Sequence, residues 1–173
     1  MSILFHIRVG PADVWTEGLR AEMPGEDIRL WPDIGDPAAV EFAVTWRHPA
    51  GLFGQFPNLK GIFSIGAGVD HILCDPDLPA GVPVIRLVDP VMDNDMTLHV
   101  VHWVIHYHRG YYRYAALQRE ARWEKVMFPE PHARRVGVMG LGRLGNQVAT
   151  TLAGLGFTVA GWSRTAKAIP GIE

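Results

Sequence analysis

A single cysteine, Cys74, stands in the 173 residues, so no disulfide can close within one chain and the composition fits a reducing compartment. It follows the apolar pair Ile72–Leu73, which favours a buried, inert thiol over a nucleophile. Nothing approaches the roughly 18 consecutive apolar residues that a membrane-spanning helix needs. The start, "MSILFHIRVG", has no basic lead ahead of its short apolar run and reads as a first strand, not a secretion signal. Neither sign of charge dominates: 16 Lys and Arg stand against 18 Asp and Glu, a formal net charge of −2. That balance offers no footprint for nucleic acid or for an anionic membrane surface. No internal repeat or low-complexity tract interrupts the chain. These absences point to a cytoplasmic globular protein, and the length suffices for a substantial core.

Short β-rich runs fill the first half. Candidate strands are Ile3–Val9, Ile28–Leu30, Phe42–Trp46, Gly61–Ile65 and Val84–Leu87. Between the first two, "ADVWTEGLRAEM" places Val14, Trp15, Leu19 and Met23 at helical spacing before "PG" ends it. Such alternation argues for a parallel α/β sheet. From about Met96 to Arg122 an aromatic-rich helix follows, with Gly110 marking a bend or a break. The expected division is therefore 1–95, an α/β unit, and 96–173, a connector helix followed by the beginning of a second α/β unit.

That second unit opens on "VGVMGLGRLGNQVA", Val136–Ala149. Gly140, Gly142 and Gly145 form G-x-G-x-x-G between a strand, "RRVGVM", and a helix, "LGNQVATTLAGLG"; the next strand is Thr158–Trp162. In this arrangement the first glycine makes the tight turn and the second admits a pyrophosphate to the backbone. The third lets helix and strand pack closely, and the helix N-terminus faces the phosphates. A carboxylate normally ends the second strand of an NAD site, to hold the ribose hydroxyls. Here Trp162-Ser163-Arg164-Thr165 stands there instead. Arg164 can clamp a 2′-phosphate, with Ser163 and Thr165 adding hydroxyls and Lys167 adding charge, so NADP(H) is expected in preference to NAD(H). The competing reading makes these residues an ordinary solvated loop.

A second glycine turn, "FSIGAGVDHI", spans Phe63–Ile72. Its consecutive backbone N–H groups suit an anion such as a carboxylate; a plain strand-to-helix turn capped by Asp70 explains it equally well. His99, His102 and His106 share one face of the long helix, and His108 lies off it. No carboxylate or cysteine joins them at ligand spacing, so a polar seam in a helix or subunit interface is favoured over a metal site, and no metal is expected.

"GAGVDHIL", then a long aromatic helix, then "VGVMGLGRLG" some 70 residues later resemble the D-isomer-specific 2-hydroxyacid dehydrogenases. "FSIGAGVDHIL", "VTWRHP" and "GWSRTAKAIPGI" are most similar to the glyoxylate/hydroxypyruvate reductase branch, which favours NADPH. The resemblance covers essentially the whole chain. It implies a flavodoxin-like parallel-sheet substrate domain plus the start of a Rossmann dinucleotide-binding domain. It also implies that Ala67, Gly68 and Val69 present N–H groups to the carboxylate of a small 2-oxo acid, with Trp46 and Arg47 at the same site. Met96 and Thr97 would approach the nicotinamide. Gly140, Leu141, Gly142, Arg143, Leu144 and Gly145 would cradle the pyrophosphate, and Ser163, Arg164 and Thr165 would take the adenosine phosphate. A homodimer through the aromatic helix is implied as well.

Reduction of a 2-oxo acid also needs a proton donor and a cation to polarise the carbonyl. In the family these are a histidine oriented by a glutamate, and an arginine, all from later positions than Glu173. The eight histidines here do not match that catalytic position. The expectation is the N-terminal part of a longer enzyme, inactive alone, its second unit left with a bare sheet edge and its last forty residues mobile or covered by another chain. The alternatives are a non-catalytic dinucleotide-binding or interaction module and another nucleotide-dependent α/β protein; the GAGVD loop counts against the latter.

Overall fold

The computed structural model describes residues 1–8 and 10–173. Val9, the last residue of the first expected strand, lies outside the described residues. The chain divides into two units, Met1–Val88 and Asp89–Glu173.

Unit 1 contains β1 (Ser2–Ile7), α1 (Ala12–Glu22), β2 (Asp27–Leu30), β3 (Val40–Trp46), β4 (Gly61–Ser64), the one-turn α2 (Asp70–Leu73) and β5 (Val84–Ile85). All pairings are parallel, in the order β2-β1-β3-β4-β5. This is the flavodoxin-like order, and it reverses between β1 and β3. Register explains the strand sequences. Leu4, Ala43, Ile62 and Val84 form one cross-sheet row, and Phe5, Val44, Phe63 and Ile85 form the next, on the opposite face. The first row packs on Leu52, Phe53, Phe56, Leu59 and Ile72. The second is covered by α1 at one end, where Trp15 stacks on Phe5 with ring centroids 6.5 Å apart. Val14, expected on that inner side, is exposed. Beyond α1 the row lines an apolar cavity of about 550 Å³ with Leu19 and Met23.

Unit 2 opens with α3 (Pro90–His108), which begins six residues earlier than the sequence pattern indicated. The Asp89 side chain accepts the N–H of Val91, and Pro90 occupies the first turn, where no N–H is needed. Gly110 adopts φ 58° and breaks the helix; α4 (Tyr111–Arg119) follows. Then β6 (Arg135–Met139), α5 (Arg143–Gly154) and β7 (Thr158–Trp162) form a parallel strand–helix–strand unit. Val148, Ala149 and Leu152 of α5 pack with Val101 of α3 and Val159 of β7 into its core. A bare edge was expected on this sheet. Among the described residues β6 does have no second partner strand, but β7 is partly lined by the chain end. The Glu173 N–H donates to the Val159 carbonyl at 2.9 Å, and the Gly161 N–H to that of Glu173 at 2.8 Å.

Candidate functional site

In open parallel sheets, ligands meet the carboxyl ends of the strands near the reversal of strand order. In unit 1 that is where β3 delivers Trp46 and Arg47 and β4 runs into Ile65–Val69. Ser64 Oγ donates to the Gly68 carbonyl at 3.1 Å and accepts the Gly66 N–H at 3.2 Å, so one hydroxyl pinches the loop. Among the described residues no backbone carbonyl accepts from Ala67, Gly68 or Val69, which leaves their N–H groups for an external anion. Asp70 does not cap α2. Val69 holds that position, and its apolar side chain offers no acceptor for a cap hydrogen bond. Cys74 is exposed, not buried as its apolar neighbours suggested: a helix of four residues turns only Ile72 into the core.

Trp46 joins this loop through a close approach. A β-carbon added at Gly66 would lie 2.2 Å from the Trp46 ring, whose other neighbour is His71 at a centroid distance of 4.4 Å. Gly66→Ala is therefore expected to displace the indole and destabilise unit 1 by about 1–3 kcal/mol. Urea unfolding and tryptophan emission check this, and an unchanged midpoint and spectrum would show that the indole swings aside freely. Burial, aided by nearby His48, lowers the pKa of His6 and of His71 below 6.5. Their stabilisation is thus complete above 6.5 and lost as pH falls below it, so unit 1 should melt at lower temperature near about pH 5 than near neutrality, as circular dichroism would report.

In unit 2 the three cradle glycines serve distinct needs. Gly140 turns out of β6 at φ +98°, and its N–H donates to the Trp162 carbonyl at 2.7 Å. Around Gly142, the residue preceding α5, an added β-carbon would meet nothing within 4 Å, which leaves room for a ligand. At Gly145 it would lie 1.8 Å from the Gly140 carbonyl oxygen. Leu141 anchors the loop by burying its side chain, whereas Leu144 is more exposed. The Arg143 guanidinium is paired with Asp93, whose side chain is 7% exposed. Thr97 is buried and donates to the Asp93 carbonyl at 2.8 Å, while Met96 is exposed.

At the end of β7, Ser163 Oγ donates to the Thr165 carbonyl at 2.6 Å, and Lys167 Nζ to the Leu141 carbonyl at 2.6 Å. The strand-end loop thereby folds onto the glycine loop beside a cavity of about 380 Å³. Arg164 is exposed, and among the described residues it has no acidic partner. A dinucleotide fits this arrangement: an open loop of backbone N–H groups at one end and an unpaired guanidinium at the other.

His102 and His106 lie against Trp103 on α3, with ring centroids 5.3 and 5.1 Å away, on an exposed face that continues into Tyr107, Tyr111 and Tyr112. His108 is buried against Phe157. Among the described residues, no three metal-binding side chains converge, and no helix is long and apolar enough to cross a membrane. Sequence reasoning missed Ser64, Asp93 and the buried pair His48–Asp75. A hydroxyl ending β4 was the only local signal; the others meet only in the folded chain.

Residues 101–172 match the family described as D-isomer specific 2-hydroxyacid dehydrogenase, NAD binding domain. A curated relative, glyoxylate/hydroxypyruvate reductase A of Yersinia enterocolitica, is 38% identical over 99% of this chain and 56% of its own length. The crystal structure of a D-isomer specific 2-hydroxyacid dehydrogenase from Xanthobacter autotrophicus, in complex with NADPH and MES, superposes with a TM-score of 0.89 at 41% identity, covering 99% of this chain and 56% of that one. An NADPH-dependent glyoxylate/hydroxypyruvate reductase from Sinorhizobium meliloti, in complex with NADP and sulfate, gives 0.88 at 34% identity, over 99% and 55%. The chain thus spans little more than half the length of the relatives it matches.

Proposed function

We propose that the chain, whose residues 101–172 match the D-isomer specific 2-hydroxyacid dehydrogenase NAD-binding domain and which is similar along its length to glyoxylate/hydroxypyruvate reductases, carries the carboxylate-binding loop and the dinucleotide cradle of an NADPH-dependent reductase of a small 2-oxo acid, of the glyoxylate or hydroxypyruvate type. Ala67, Gly68 and Val69 offer their N–H groups to the substrate carboxylate, with Trp46 and Arg47 beside them. Gly140 to Gly145 receive the pyrophosphate, and Met96 and Thr97 stand toward the nicotinamide end. NADPH, when bound, supplies the hydride. The proton donor and the carbonyl-polarising cation lie outside these 173 residues on this reading, so the chain alone binds without turnover. The exposed aromatic–histidine face of α3 and α4 is the contact of a homodimer, and the working compartment is the cytoplasm.

The observation that carries the cofactor preference is the β7 end, where Arg164 lacks an acidic partner among the described residues and no carboxylate stands ready for a ribose. A 2′-phosphate there gains a charge-assisted, bidentate partner. NADPH is expected to bind more tightly than NADH in a fluorescence titration. Arg164→Ala should weaken NADPH about 10- to 100-fold while leaving NADH nearly unchanged. Equal affinities, or a tighter NADH complex, would overturn the preference. Oxidation of NADPH in the presence of glyoxylate or hydroxypyruvate should be absent with this chain and present when it is extended to the relatives' length. Turnover by the 173-residue chain would refute its inactivity.

A further inference from the structure

Arg47 follows β3 with φ 55°, in the left-handed region that a long side chain adopts only when its surroundings impose it. The imposition comes from both sides. Before it, Trp46 is fixed in the β3 register opposite Ile7, and its carbonyl accepts the Arg8 N–H at 3.2 Å. After it, the chain drives His48 inward: the imidazole is 1% exposed and lies on Phe53 at a centroid distance of 4.3 Å. His48 Nε2–H donates to Asp75 Oδ2 at 2.8 Å, and the Asp75 side chain is itself 2% exposed. The same carboxylate accepts the Gly51 N–H at 3.1 Å and the Asp77 N–H at 3.1 Å. Asp75 thus ties the segment after β3 to the segment after α2, and His48 is the peg between them. With residue 46 held by the sheet and residue 48 by the peg, the chain turns sharply at residue 47. The Arg47 side chain is left exposed, and among the described residues it has no acidic partner.

We propose that the buried His48–Asp75 pair is a positioning element that holds Arg47 in its left-handed conformation and presents the guanidinium as a preorganised cation for the substrate carboxylate. The inference rests on the reading of Arg47 as a substrate-binding residue. Its physical sense lies in preorganisation: a flexible arginine loses rotamer and backbone freedom on binding, and one already fixed does not. Thr45 and Ser64 are register partners in the adjacent strands β3 and β4, so the chain reaches Arg47 and the Ala67–Val69 loop from neighbouring strand ends.

The test separates the peg from the reading it serves. In 15N-edited NOESY spectra of the chain, a left-handed residue gives a strong intraresidue Hα–HN cross-peak. Wild type and His48→Gln, whose side-chain amide can still donate to Asp75, are expected to show it at Arg47. His48→Phe, which keeps the ring but not the donor, should lose it while the β1 and β3 amide resonances hold their positions. In parallel, titration with oxamate, a 2-oxo acid mimic, should shift the Ala67–Val69 amides, with affinity about tenfold weaker in His48→Phe and restored in His48→Gln. Retention of the left-handed signature in His48→Phe, or its loss in both variants, would overturn the proposal; so would a His48→Phe chain that unfolds without rescue in His48→Gln. Arg47→Gly tests the underlying reading: it relieves the backbone constraint and should raise the melting temperature while weakening oxamate. Unchanged oxamate affinity in Arg47→Gly would remove Arg47 from the substrate site, whatever the peg does.

Discussion

Gly145→Ala is expected to abolish measurable NADPH binding and to cost unit 2 about 3 kcal/mol, as overpacking against backbone does at its upper end. The added methyl would sit 1.8 Å from the Gly140 carbonyl oxygen, so either α5 retreats from β6 or the loop between them opens. Both movements dismantle the cradle, because the N–H groups facing the ligand belong to the residues that must move. Both also disturb Leu141, whose buried side chain plugs the unit 2 core beside Val148 and Leu152. Gly154→Ala is the control: its methyl would meet nothing within 4 Å at the last turn of the same helix, so a small gain of about 0.5 kcal/mol is expected from helix propensity alone. Fluorescence titration with NADPH and thermal unfolding of the two variants provide the comparison. An alanine at 145 that binds the cofactor as wild type would show that the close helix–strand approach is unnecessary.

The glycine loop was legible because its determinants are local. A strand, a turn and a helix follow one another within about twenty residues, and Gly140 and Gly145 answer local backbone demands, the turn out of β6 and the close approach of α5 to it. The strands of unit 1 were legible for a related reason: rows such as Leu4–Ala43–Ile62–Val84 come from short, predominantly apolar β-rich runs, as parallel strands require. The start of α3 was less so. A capping aspartate and a first-turn proline at 89 and 90 lie in a stretch crowded with prolines, where they read as loop.

The polar pairs were not legible at all. Arg143 and Asp93 are 50 residues apart in sequence, and His48 and Asp75 are 27 apart. No period links such residues: His48 and Asp75 meet where the segments after β3 and after α2 converge, and Arg143 and Asp93 meet where α5 packs on α3. Arg143 illustrates the consequence. By its place in the motif it read as a free cation for pyrophosphate, yet Asp93 already compensates its charge, so its first contribution is to tie α5 to α3. Among the candidate site residues, Arg164 and Arg47, one in each unit, are exposed arginines without an acidic partner among the described residues.

The second large effect is expected from Asp75→Ala, which should destabilise unit 1 by about 3 kcal/mol in urea unfolding. Removing the carboxylate strands the His48 imidazole and the N–H groups of Gly51 and Asp77 without an acceptor in a buried place. Asp75→Asn keeps the shape and one acceptor oxygen, and should lose less. The pH dependence identifies the charge responsible. Burial alone would raise the Asp75 pKa, but the Asp77 N–H, the His48 ring and the Gly51 N–H together outweigh it and hold the carboxyl below its ordinary 3.8. The unfolded chain therefore takes up the proton first as pH falls. The stabilisation is complete above 3.8 and is lost as pH drops through the folded value. The stability gap between wild type and Asp75→Ala should accordingly stay constant from neutrality into the mildly acidic range and narrow only below the ordinary carboxylate pKa. A gap that instead changes well above that range would assign the effect to a group other than the Asp75 carboxylate.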